Sequence, residues 1–155
     1  MPIEWLSQDK CKKMIGHHTY GRMATTGPDN KPYITPVNYV YIDDSVYIHT
    51  GFKGRKIDNI NANPAVCFEI SSPGNLYISE KACGFTMRYW SIMIEGKASF
   101  VEDILLKRKV IDTLMAKYSM NLDYTDPADE DLKNVNIIKI STDKISGKLS
   151  VDPIE

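Results

Sequence analysis

The 155-residue chain carries a formal net charge of -1, with 43% hydrophobic and 25% charged residues, the make-up of an ordinary globular protein able to bury one core without disulfides or metals. A near-neutral body excludes general nucleic-acid binding through phosphate neutralisation, and apolar runs such as YVYI and SIMI are far too short to cross a bilayer. Three cysteines, Cys11, Cys67 and Cys83, form no CxxC pair and suggest neither a disulfide framework nor a zinc site.

With no repeat, low-complexity tract or linker, residues 1–155 read as one domain. The N-terminal MPIEWLSQDKCKK has no apolar stretch flanked by basic residues, so no signal peptide is expected and a reducing cytoplasm fits.

From about Ser7 to His18 the spacing predicts a helix, with Ser7 as cap and Met14 and Ile15 as a short apolar face. The period then changes. GRMATTG, a GPDN turn at 27–30 and PYITPVNYVYI predict two strands joined by a hairpin. An Asp43-Asp44 turn leads into a third strand, SVYIHTG, and the alternation here is tight and rich in β-branched and aromatic residues. Between Lys53 and Asn63 the spacing is helical, with Ile57 and Ile60 on one face, and Asn63-Pro64 ends it. AVCFEI is a short strand, Pro73-Gly74 marks a turn within the undecided stretch 71–84, and Phe85 to Val101 forms a long strand, bent or bulged near Gly96. A helix from Asp103 to about Tyr118 follows, capped by Asp103, with Ile104, Ile111, Leu114, Met115 and Tyr118 as its buried stripe. Asp126-Pro127 starts a further short helix, and VNIIKISTDKISGKLS supplies the last strands. Many strands with two main helices between them predict a mainly β fold, a small antiparallel barrel flanked by helices.

The chemistry concentrates in YIHTGFKGRKIDNINAN, residues 47–63. A strand ends in His49 and Thr50, a glycine-flanked loop follows, and Arg55-Lys56 begin a helix. A hydroxyl, the free N–H groups of a helix start and two cations converge there, three devices that bind anions. Arg can grip a phosphate with two parallel hydrogen bonds, while Lys acts as a point charge. The same run also reads as a plain exposed connection. Two cations at a helix start oppose its dipole, which tilts the reading towards a bound anion of unspecified kind.

Gly21-Arg22-Met23-Ala24-Thr25, Pro36-Val37-Asn38-Tyr39, and Tyr47-Ile48-His49-Thr50 with Gly54-Arg55-Lys56 and Asn59 are followed by Asn63-Pro64 before Val66-Cys67-Phe68. Ala82-Cys83-Gly84-Phe85, Arg88-Tyr89, Ser91 and Glu95-Gly96-Lys97 come later. In this order and spacing the sequence resembles the pyridoxamine 5'-phosphate oxidase-like FMN-binding split-barrel superfamily, nearest the branch related to 5-nitroimidazole-resistance proteins. The resemblance implies a six-stranded antiparallel split β-barrel that binds FMN at a homodimer interface. It implies that Arg55 and Lys56 hold the FMN phosphate with Thr50 as a neutral donor, and that Pro36, Val37 and Asn38 lie along the isoalloxazine ring and bond its polar edge. Asn59, Ser91 and His49 complete the implied cofactor set. The flavin would accept a hydride and pass electrons on, the protein supplying position and electrostatics. The expected function is an FMN-dependent oxidoreductase acting on a small organic acceptor such as a nitroaromatic, with NAD(P)H as candidate donor.

A non-catalytic FMN or ligand-binding protein is the alternative from another class. A true pyridoxamine phosphate oxidase is disfavoured: those enzymes carry arginine and histidine near the C-terminus for the substrate phosphate, whereas here no arginine follows Arg108 and no histidine follows His49. Dimerisation has a physical reason as well, since a small barrel has little concave volume of its own and a two-fold interface supplies the missing wall.

His49 is the candidate catalytic residue, able to contact flavin or substrate or to give a proton; a strand-end histidine bonded to backbone is its plainer reading. His17 and His18, adjacent on a helix, point apart and make poor joint metal ligands, so no metal is expected. Cys83 reads as a buried inert thiol or a pocket residue, and Tyr39, Tyr41, Tyr89 and Trp90 as core aromatics that could also stack on a ring. Lys107-Arg108-Lys109 reads as a solvated helix face.

Overall fold

A computed structural model describes residues 3–120 and 122–150. In chain order its elements are β1 (Ile3–Trp5), α1 (Gln8–His17), β2 (Gly21–Thr26), β3 (Pro32–Val37), β4 (Val40–Ile42), β5 (Ser45–Thr50), α2 (Arg55–Ala62), β6 (Ala65–Tyr77), β7 (Thr86–Phe100), α3 (Ile104–Tyr118), α4 (Asp129–Lys133), β8 (Asn136–Ser141) and β9 (Lys144–Ser150). A short 3-10 turn, Ala82–Gly84, precedes β7.

Alternation decides which side of each strand is inside. In β2, Gly21, Met23 and Thr25 are buried and the residues between them half-buried. Met23 and Phe68 of neighbouring strands lie directly opposite and are both fully buried. Every described strand pairing is antiparallel, and the strand path is β3-β2-β6-β7-β8-β5-β4, with β9 pairing both β7 and β1.

The strand β7 belongs to two halves at once. One edge pairs with β6 from Lys97 down to Thr86. The other pairs with β9 over Trp90 to Glu95 and with β8 over Ala98 to Phe100. The change of partner falls at Gly96-Lys97. A Cβ on Gly96 would sit 1.8 Å from the Ser141 carbonyl oxygen, so only glycine lets the two backbones meet. Ser141 Oγ then accepts from the Lys97 N–H at 2.9 Å, replacing a ladder bond. This is the split of the barrel: the chain is a mainly β antiparallel split barrel with flanking helices.

Turns form where their chemistry allows. Asp43 and Asp44 both take positive φ, 47° and 55°, the geometry of a two-residue hairpin turn. Lys109 of α3 and Lys12 of α1 reach their carboxylates at 2.7 and 2.9 Å. Ser7 caps α1 by accepting from Lys10 N, and Asp103 caps α3 by accepting from Leu106 N at 2.6 Å.

Two cores result. Cys11 and Ile15 of α1 and Ile57 and Ile60 of α2 plug the barrel interior, packing with Met23, Ile48, Phe68, Ile92 and Ile138. A second core lies between α3 and the other face of the β4-β5-β8 half, where Val110 and Leu114 meet Val40, Tyr47 and Ile137.

Several expectations are corrected. The described residues contain nine strands rather than six. β1 is three residues long and too short to show a period. PYITPVNYVYI breaks at Asn38-Tyr39, and its two pieces, β3 and β4, end up on opposite edges of the strand path. AVCFEI continues through Pro73-Gly74 to Tyr77. β2 pairs with β6 only as far as Glu69, so beyond it β6 is an edge strand, where proline is tolerated. The register shift lies there, between Pro73 and Leu76, while the β6–β7 register runs unbroken past Gly96. Lys107 is buried rather than solvated: its Nζ donates to the Val135 carbonyl at 2.8 Å.

Gly96→Ala is therefore expected to destabilise the chain by about 3 kcal/mol or more through backbone overlap. Gly16→Ala, in the last turn of α1 with nothing within 4 Å of the added Cβ, should stabilise it by about 0.4–1 kcal/mol. Denaturant unfolding of the two variants checks both.

Candidate functional site

The break between β3 and β4 exists because Tyr39 turns inward. Its ring is fully buried and packs edge-on against Phe68, centroids 4.9 Å apart, and its hydroxyl donates to the Ile15 carbonyl. Asn38, one residue earlier, is left exposed at the kink. Beside it opens a cleft of about 420 Å³, the size of a small-molecule site. Pro36, Val37 and Asn38 line one side, His49 and Lys56 the end, and Leu114, Met115 and Tyr118 of α3 the other side.

The structure thus brings together five of the residues singled out in the sequence: Pro36, Val37, Asn38, His49 and Lys56. Thr50 follows His49 in β5 and so falls on the opposite face of the strand. Its hydroxyl is buried with no hydrogen-bond partner. Arg55 is exposed, its guanidinium stacked 4.7 Å over the Tyr33 ring. Asn59 does not face the cleft. It is buried, and its amide donates to Thr25 Oγ1 at 2.9 Å. Ser91 lies on the outer face of the β6-β7-β9 half, opposite Ser71 and Lys148, in a small depression with Trp5 and Met93. Leu114, Met115 and Tyr118 were read from the sequence as core stripe. An apolar residue facing a cleft has the same spacing as one facing a core, so no sequence signal separates them.

Lys56 has no ion-pair partner among the described residues, whereas lysines 12, 109, 133 and 144 all reach carboxylates within 3.0 Å. The helix behind it is left open too. The N-cap of α2 is Gly54, at φ 123°, which brings no side chain to the first N–H groups. The cleft end therefore carries an unpaired cation, an uncapped helix start and, on the far side of β5, an unsatisfied hydroxyl.

Behind the wall of α3, Lys117 lies 4.2 Å over the Tyr39 ring and donates to the Tyr39 carbonyl. Burial pulls its ammonium down to about 8 from the 10.5 of a free lysine. Burial also raises Tyr39 well above an ordinary phenol, and raises Tyr118.

Cys83 is exposed on the 3-10 turn and lines no part of the cleft. Burial raises the Cys67 thiol, with Glu95 and Glu69 adding to the effect, which makes it a poor nucleophile. His18 stacks edge-on against Trp90 at 5.1 Å. Among the described residues no His/Cys/Asp/Glu group could hold a metal ion, and no helix is long and apolar enough to cross a membrane.

Fold and cleft together define a split-barrel protein with an open cleft beside the start of α2. The family model for pyridoxamine 5'-phosphate oxidase matches residues 7–149, and the chain belongs to that family. Among solved structures it is similar to a protein described as a candidate 5-nitroimidazole antibiotic resistance protein from Bacteroides thetaiotaomicron. The two are 28% identical with a TM-score of 0.79, over 96% of this chain and 89% of the other. The fold is shared with an FAD-binding protein from Mesorhizobium loti (23% identity, TM-score 0.71, 97% and 100% covered). It is also shared with a flavocytochrome from Azotobacter vinelandii (18% identity, TM-score 0.81, 97% and 70% covered). No curated protein matches the chain.

The Lys117 shift has a definite sign. Between pH 8 and 10 the folded chain releases this proton while the unfolded chain keeps it, so stability should rise with pH across that window. The raised tyrosines act oppositely and only above about pH 10. Chemical denaturation from pH 7 to 10 should show the rise in the native chain and a flatter profile in Lys117→Met.

Proposed function

We propose that the chain is a flavin-dependent oxidoreductase that holds FMN in this cleft as a homodimer and reduces a small organic acceptor. The observation that carries the reading is the unpaired Lys56 beside the uncapped start of α2. That donor set fits a phosphate dianion, which would take charge-assisted bonds from the ammonium and from the helix N–H groups. Arg55 adds a second cation once it leaves the Tyr33 ring.

A bound flavin would supply hydride-transfer chemistry that no side chain has. The protein's own residues do the rest. Leu114, Met115 and Val37 form apolar walls that pack against a planar ring and exclude water. Asn38 offers a carboxamide donor and acceptor at the kink. His49, exposed on the cleft wall, is placed to hold or deliver a proton to an acceptor. A nitroaromatic is the acceptor class to try first, because the similar Bacteroides thetaiotaomicron structure is described in connection with 5-nitroimidazole resistance.

Support for the dimer comes from the surface next to the cleft. Pro36 lies opposite Arg22 on the barrel's outer face, and from there an open hollow of about 440 Å³ runs across Ala24, Ile34, Cys67 and Met93. Ile34 is 61% exposed and Met93 41%. Apolar area of this kind marks an interaction surface, and a second copy on it would close the cleft's open side. Ser91 lies on the same face and would meet a ligand only across that interface.

Titration with FMN, followed by flavin fluorescence, tests the site. Lys56→Met should weaken binding by roughly 1.5–3 kcal/mol, about ten- to a hundredfold, and sedimentation should give a dimer mass for the yellow complex. Anaerobic NADPH or NADH should bleach the bound flavin, and a 5-nitroimidazole should restore its colour. Bound flavin that no donor reduces would leave a passive binder. Unchanged affinity in Lys56→Met would remove the phosphate site.

A further inference from the structure

Asn38 and Tyr39 belong to neither β3 nor β4, so no strand ladder fixes them where they border the cleft. The backbone polar groups of the inward-turned Tyr39 need partners all the same, and α3 supplies them. The Tyr39 N–H donates to the Tyr118 hydroxyl at 3.1 Å. That hydroxyl also lies 2.8 Å from the Tyr39 carbonyl and 2.6 Å from the Thr19 carbonyl. A phenol has one proton to donate. Lys117 Nζ already donates to the Tyr39 carbonyl at 3.1 Å, which leaves the Tyr118 proton for Thr19, the shorter contact. One oxygen thus joins the end of α3, the α1–β2 connection and the kink, while its ring forms part of the cleft wall.

We infer that Tyr118 is a positioning residue of the cleft, whose hydroxyl sets where Asn38 stands and so how the pocket meets the polar edge of a bound flavin ring. The inference rests on the flavin reading above. Stabilising α3 alone would make Tyr118 matter for melting temperature and nothing else. Positioning makes it matter for the electronic surroundings of the ring as well.

The test compares the native chain with Tyr118→Phe, which keeps the wall and removes the hydroxyl, and with Val110→Ala. Val110 is fully buried in the core beneath the same helix and is not among the residues lining the cleft, so this variant loosens α3 without touching the site. FMN affinity, the visible spectrum of bound FMN and its reduction potential are measured, with thermal melting of the flavin-free chains alongside. Tyr118→Phe should bind FMN about tenfold more weakly and shift both spectrum and potential. Val110→Ala should melt lower but keep the native spectrum and potential. Native affinity, spectrum and potential in Tyr118→Phe overturn this inference and leave the flavin reading intact, and so does the same change in both variants. A native chain that binds no FMN overturns the flavin reading and this inference together. Should Tyr118→Phe not fold, Lys117→Met, which strips the other α3 donor from Tyr39, takes its place and is compared with the native chain at pH 9.5, where the native Lys117 is itself mostly neutral: a shifted potential supports the inference and a native one contradicts it.

Discussion

The close approach of Gly96 to Ser141 is the constraint on which the architecture depends. One long strand, β7, serves both halves of the barrel, and it can do so only because its backbone touches the end of β8 where a side chain would intrude. The Ser141 hydroxyl completes the hydrogen bonding that the ladder loses there. With that corner in place, β8, β5 and β4 form a half-barrel whose outer face receives α3. The cleft is a consequence: it lies where α3 overhangs the end of β5 and the kink that leads out of β3.

The proposed site rests on what the fold leaves unsatisfied at the start of α2. Several surface lysines reach carboxylates, and Arg22 bridges to Glu69 at 2.8 Å. Exposed pairs of this sort contribute little to stability. Lys56 forms no ion pair among the described residues, and α2 begins with a bare glycine and two cations, which oppose its dipole, ahead of Asp58. An arrangement that weakens the free protein by a few tenths to one kcal/mol per charge becomes favourable once an anion sits on it.

Much of the fold was legible because strand alternation is a local signal. β2 and β5, the Asp43-Asp44 turn and the caps Ser7 and Asp103 all follow from short stretches of sequence. The missed features are those that tertiary contacts decide. Tyr39 continues the alternation of its neighbours, and only the Phe68 ring and the Ile15 carbonyl make it the point where the strand breaks. Lys107 sits in a run of three basic residues, yet the Val135 carbonyl draws it inside. For the cleft, the residues joined to a sequence pattern, Pro36 to Asn38, His49 and Lys56, do come together. Asn59, grouped with them by resemblance, spends its amide on Thr25, and the α3 wall could not be told from core.

The central claim is that the charge left open at the start of α2 receives a phosphate. A crystal structure of the protein grown with FMN tests it most directly. The account requires the phosphate within hydrogen-bond reach of Lys56 Nζ and the first N–H groups of α2, with the ring between the β3–β4 kink and α3. A structure in which Lys56 points into bulk solvent, with the nucleotide absent or bound elsewhere, would contradict it.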